Sequence, residues 1–119
     1  MQERRNAKRK KFSYYMRVVD DSNQQLVGHL ADISARGFKV DAERAYVPGV
    51  DLRLRLDLTT DIADKTSMTF VARVKWCQTD PMTPFSFNVG FEIVNIGMHD
   101  KIIFQRIVDK YGSQESRWG

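Results

Sequence analysis

Asp51-Leu52-Arg53-Leu54-Arg55-Leu56-Asp57-Leu58 alternates without a break, with leucines at the even positions and charges at the odd positions up to 57. A period of two sends successive side chains to opposite faces of an extended strand, so one face packs into a core and the other meets water. The same period recurs on both sides. Upstream, Tyr14, Met16 and Val18 alternate with Tyr15, Arg17 and Val19 from about Phe12, and Asp20-Asp21-Ser22-Asn23 marks a turn. A second strand is expected from about Gln25 to Ile33, and Phe38-Lys39-Val40 resumes it briefly after Ser34-Ala35-Arg36-Gly37. Downstream, Thr59 to Lys65 reads as a polar turn. Met68, Phe70, Ala72, Val74 and Trp76 then alternate with Thr69, Arg73 and Lys75. After the stiff Asp80-Pro81-Met82-Thr83-Pro84 loop, Phe85, Phe87, Val89, Phe91 and Ile93 alternate with Ser86, Asn88, Gly90 and Glu92. The leucine comb and the Phe85–Phe91 series are expected in the core, and Trp76 in the core or at its rim.

Beyond Asn95 the period becomes helical: Met98, Ile102, Ile103, Ile107 and Tyr111 share a stripe, with Val108 beside them. Asp100 near the start and Lys110 near the end suit the helix dipole, and Gly112 is placed to end the helix. The expected architecture is five or six short antiparallel strands in a barrel or sandwich, with the helix covering an open end or edge.

With 119 residues the chain suits one domain, since domains cluster at roughly 100–150 residues. A hydrophobic share of 42% and a charged share of 29% are those of an ordinary globular protein. The sequence holds no apolar run of about 18 residues and no secretory signal, and its one cysteine, Cys77, can close no internal disulfide. These features point to a cytoplasmic protein. The net charge of +4 hides a split. Seven cations (Arg4, Arg5, Lys8, Arg9, Lys10, Lys11 and Arg17) against Glu3 give residues 1–17 a charge of +6, leaving −2 for the rest. A basic cluster of this kind points to an anionic partner.

Catalytic chemistry finds little support. His29 and His99 are the only histidines, each reads as a surface residue, and Cys77 has no histidine near it in sequence. No zinc, calcium or glycine-rich phosphate motif is present, so neither a metal nor a cofactor is expected.

Two segments remain: Arg4-Arg5-Asn6-Ala7-Lys8-Arg9 and Asp32-Ile33-Ser34-Ala35-Arg36-Gly37. Arginine forks bind phosphate and also the O6/N7 edge of guanine. A carboxylate such as Asp32 accepts from the N1 and N2 donors on the opposite edge, and Ser34 adds a hydroxyl that donates or accepts. Gly37 permits a positive φ or a close backbone approach at the turn.

This pairing resembles the PilZ family over residues 5–111. Arg5 and Arg9 match its RxxxR motif; Asp32, Ser34 and Gly37, beginning 23 positions after Arg9, match its [D/N]xSxxG motif. Asn88-Val89-Gly90-Phe91-Glu92 is similar to its last strand. The resemblance implies an all-β, six-stranded antiparallel split barrel with a C-terminal helix, and binding of cyclic di-GMP. It divides the chain into a flexible basic arm (1–11) carrying RxxxR, the barrel with its helix (12–112), and a polar tail (113–119). Arg5 and Arg9 would grip phosphate and guanine, Asp32 and Ser34 the other guanine edge, and Gly37 would shape the turn. Arg4 directly precedes the motif, where an arginine in relatives often helps to hold an intercalated ligand pair, so one or two molecules are expected, two being favoured. Lys10-Lys11 departs from the family pattern and leaves the arginine register open, so Lys8 joins Arg36 and Gly90 as a further candidate.

The resulting expectation is a receptor without catalytic activity. Its arm orders over the barrel on binding and signals to a separate effector protein. Ordering the arm costs about 1–2 kcal/mol per residue, so several charge-assisted bonds are needed. Two alternatives stay open: a small-barrel nucleic-acid binder, against which the −2 body counts, and a PilZ-like interaction module that binds no nucleotide.

Overall fold

The computed structural model describes residues 16–112. The basic arm and the polar tail lie outside them. Six strands run in chain order: β1 (Arg17–Asp20), β2 (Gln25–Ile33), β3 (Gly37–Ala42), β4 (Asp51–Asp57), β5 (Ser67–Thr79) and β6 (Phe87–Asn95). One helix, α1 (Met98–Tyr111), follows. Every pairing is antiparallel, and the order β1-β2-β3-β6-β5-β4 closes on itself through the β1–β4 ladder. Closure removes the exposed sheet edges that would otherwise invite pairing with other chains. The fold is thus the six-stranded antiparallel barrel with a C-terminal helix.

The comb behaves as its period demands. Leu54 and Leu56 are sealed inside, Leu52 and Leu58 pack partly, and Arg53 and Arg55 face out to Asp21 and Asp57. Within the barrel Phe38 stacks on Phe91 with centroids 5.2 Å apart and meets Phe70 edge-on at 5.6 Å. Phe104 of α1 closes one end against Leu30, Ile33, Phe38, Leu56 and Phe70.

Three local expectations need correction. Phe85 belongs neither to β6 nor to the core: it is 92% exposed, with φ at 64°. The Asp80 amide donates to the Ser86 carbonyl at 2.8 Å, closing a tight loop that turns Phe85 outward. The helix buries Ile103, Phe104 and Ile107, while Met98 and Ile102 fall outside that buried stripe and are exposed. Thr59–Lys65 is more than a polar turn. It buries Ile62 and Ala63 and straps the helix. Lys65 pairs with Asp100, Arg106 donates to the Ile62 carbonyl, and Lys110 and the Tyr111 hydroxyl both reach Asp61.

The strap is acid-sensitive. Lys110 above all, then Thr59 and Tyr111, hold the Asp61 carboxyl down at about 2. A carboxyl lowered in the folded state stabilises above its unfolded value, and that contribution fades as pH falls through the folded one. Denaturation midpoints followed from pH about 5 to 2 should drop below about pH 4 in the native chain, and Asp61→Asn should flatten part of that drop. An unchanged pH profile in Asp61→Asn would remove the strap from the account.

Candidate functional site

The Asp32–Gly37 segment forms the end of β2, the turn, and the start of β3. Strict alternation from the buried Leu30 would carry Asp32 into the core and Ile33 out. The reverse occurs. In the β2–β3 ladder Leu30 faces Val40, but Asp32 faces Lys39 and Ile33 faces Phe38, so Ala31 is an extra residue. This bulge shifts the parity of β2 by one. Ile33 becomes fully buried opposite Phe38, and Asp32 turns to the outer face opposite Lys39.

Asp32 is nonetheless only 8% exposed. Its Oδ1 accepts from the Ile33 amide at 2.9 Å, which fixes the carboxylate beside the turn. Ser34 is 1% exposed; its amide donates to the Gly37 carbonyl at 2.9 Å, while its Oγ has no hydrogen-bond partner among the described residues. A buried hydroxyl left so costs free energy, and such groups are uncommon in native proteins. Gly37 serves through space rather than torsion. Its φ is not positive, but a Cβ there would overlap the carbonyl oxygen of Phe91 on β6. Arg36 is exposed and its carbonyl accepts from the Ile93 amide at 3.2 Å.

The strand registers extend this corner into a surface. Asp32 on β2 lies opposite Lys39 on β3, Lys39 opposite Gly90 on β6, and Gly90 opposite Trp76 on β5. Four strands in sequence span about 14 Å. A second bulge, between Val74 and Trp76, makes the far end work. Without it Trp76 would continue the inward series of Met68, Phe70, Ala72 and Val74. With it the indole lies outside the core, half-buried over Gly90, and a Cβ at Gly90 would collide with its ring. Trp76 is therefore neither core nor rim. It lies on the same outer face as Asp32, a placement that alternation alone conceals because the bulge that turns it out has no mark in the sequence. Lys39 was hidden in the same way, behind a three-residue strand fragment.

The site thus joins Asp32, Ser34, Gly37 and Gly90, adds Lys39 and Trp76, and leaves Arg36 at the exposed edge of the turn. Arg4, Arg5, Lys8 and Arg9 lie outside the described residues. Their point of entry is nevertheless placed: the Leu30 amide donates to the Met16 carbonyl at 2.8 Å, one ladder step from the bulge. Neighbouring strand positions carry Asp41, exposed yet with its carboxyl pushed up by crowding and, less strongly, by Asp80, against the pull of Lys39 and His29. A shallow groove of about 240 Å³, lined by residues 26–29, 41–44 and Ser86, lies at the opposite end of β2 and β3. Among the described residues no cluster of histidine, cysteine or carboxylate groups is arranged to hold a metal, and no helix is long and apolar enough to cross a membrane.

The Gly90–Trp76 contact has a direct check. Gly90→Ala should lift the indole from β6, changing near-ultraviolet circular dichroism while the far-ultraviolet strand signal persists. An unchanged aromatic spectrum would show that the ring does not rest on the glycine.

Comparison with known proteins agrees with the barrel fold. The family model of the PilZ domain matches residues 3–110. Among solved structures, the Bacillus subtilis inhibitor of motility MotI/DgrA superimposes with a TM-score of 0.65 at 18% identity, over 87% of this chain and 50% of that one. The chain therefore spans about half the length of that protein, and at this identity the likeness concerns the fold. No curated protein sequence matches the chain. With the family match covering both the arm and the barrel, and the barrel order and helix in place, the chain belongs to the PilZ domain family.

Proposed function

We propose that the protein is a non-catalytic receptor for cyclic di-GMP, with its site on the outer face of β2, β3, β6 and β5 near the Asp32–Gly37 turn. The observation that carries this reading is the pairing of an outward-turned, immobilised Asp32 with the buried, partnerless Ser34 Oγ. A carboxylate accepts from guanine N1 and N2, and a hydroxyl beside it completes its own bonding on the same ligand. The Trp76 ring, three strands away, offers a flat surface for a base to stack on.

Arg5 and Arg9 supply the phosphate and guanine O6/N7 contacts in this reading, with Arg4 toward a second ligand. Geometry allows it. Arg9 precedes Met16 by seven residues, a tether of up to about 24 Å, longer than the four-strand face is wide. In this reading, binding folds the cationic arm over the barrel face. The ordered arm and the ligand form a new surface for an effector protein. The structural relative's name makes motility the first output to test, beside exopolysaccharide synthesis and virulence.

Calorimetric titration with cyclic di-GMP, using GTP and single-stranded RNA as controls, tests the reading. Wild type should bind cyclic di-GMP in preference to both, with a stoichiometry near two if Arg4 holds a ligand pair. Arg9→Ala should abolish binding. Asp32→Ala should weaken it by about 10- to 100-fold, the loss of a hydrogen bond to a charged group. Normal binding by both variants would refute the site, and tighter binding of RNA with a steep salt dependence would favour a nucleic-acid binder.

A further inference from the structure

The cations of the described residues divide into two sets. Arg17, Arg53, Arg55, Lys65, Arg73, Lys75 and Lys110 each lie 2.7–3.5 Å from a carboxylate. Arg106 donates to the Ile62 carbonyl at 2.9 Å. Arg36, Lys39, Arg44 and Lys101 have no carboxylate partner among the described residues. Three of these four are exposed, where water serves as partner; Lys39 alone is half-buried. A half-buried lysine with no carboxylate paired to it is a feature the barrel itself does not require, and such departures concentrate where a ligand is bound.

Its position says which ligand group it suits. Phe38 and Val40 on either side point inward, so the Lys39 stem leaves the outer face at the centre of the Asp32–Lys39–Gly90–Trp76 row. Asp32, opposite on β2, makes no ion pair with it; its Oδ1 accepts from the Ile33 amide. Asp41, two positions along β3, feels the charge without forming an ion pair. On the other side Gly90 is covered by the Trp76 ring, so the four-carbon stem of Lys39 lies between Asp32 and the indole. The cation therefore stands between a carboxylate suited to a base edge and an indole suited to a base face. In a cyclic dinucleotide the anionic groups lie between the bases, in the ring that joins them.

We infer that Lys39 is a further binding residue of this site, taking a phosphodiester of the bound cyclic dinucleotide between the Asp32 and Trp76 ends. The inference rests on the proposed receptor function and extends it to a contact on the barrel itself, independent of the arm.

Titration of cyclic di-GMP into wild type, Lys39→Ala, Lys39→Met and Lys39→Arg at low and high salt decides it. Wild type without affinity at either salt refutes the receptor reading as a whole. With wild type binding, Lys39→Ala and Lys39→Met should both be weaker by about tenfold at low salt, and Lys39→Arg close to wild type. The gap should narrow at high salt, because screening weakens a charge contact. Thermal unfolding of each variant checks that the barrel is intact. Wild-type affinity in Lys39→Met, which keeps the apolar stem and drops the charge, would overturn the inference while leaving the receptor reading in place.

Discussion

A single extra residue governs the chemistry of this surface. Ala31 interrupts the pairing of β2 with β3, and everything beyond it on β2 changes face. The barrel gains by it, since Ile33 replaces an aspartate opposite Phe38 in a core of stacked phenylalanines. The site depends on it equally, since the same half-turn delivers Asp32 to the outside and ends β2 in a turn whose serine hydroxyl is buried. A carboxylate left among Leu30, Phe38 and Phe70 would shift its pKa or unfold its surroundings. Stability and recognition here follow from one register shift.

The second bulge, beside Trp76, is its counterpart three strands away. Each takes a residue that alternation would bury and presents it on the outer face, and between them stand a lysine and a glycine. Elsewhere the barrel surface cancels its charges: Arg73 with Asp51, Arg53 with Asp21, Arg17 and Arg55 with Asp57. Exposed pairs of that kind contribute little to stability, yet they leave the β1–β4 side electrostatically quiet. The face that carries Asp32 also carries Lys39, which has no carboxylate partner among the described residues. A ligand offering donors at its ends and anions at its centre matches that order.

How much of this was legible beforehand follows from what alternation can and cannot encode. The comb at 51–58 fixes a strand and its inward face, because nothing interrupts its register with β5. The six strands, the helix and the two motifs could be read from spacing and turn residues. Bulges could not, for a bulged Ala31 differs from an unbulged one only through pairing with a strand the sequence does not name. Phe85 was misplaced for a related reason: its alternation with Phe87 is genuine, but a loop closed between Asp80 and Ser86 outweighs it. Ile62 and Ala63 were overlooked because two apolar residues in a polar stretch show no period. They are buried only because a helix beginning more than thirty positions later lies against them.

The central claim is that the ligand face is the outer row running from Asp32 to Trp76. Amide and indole chemical-shift mapping of labelled protein during titration with cyclic di-GMP tests it most directly. The account predicts that the largest changes fall on residues 32–39, on Gly90 and on the Trp76 indole. Changes confined to the groove around Glu43, Arg44 and Ser86, with that row unmoved, would contradict it.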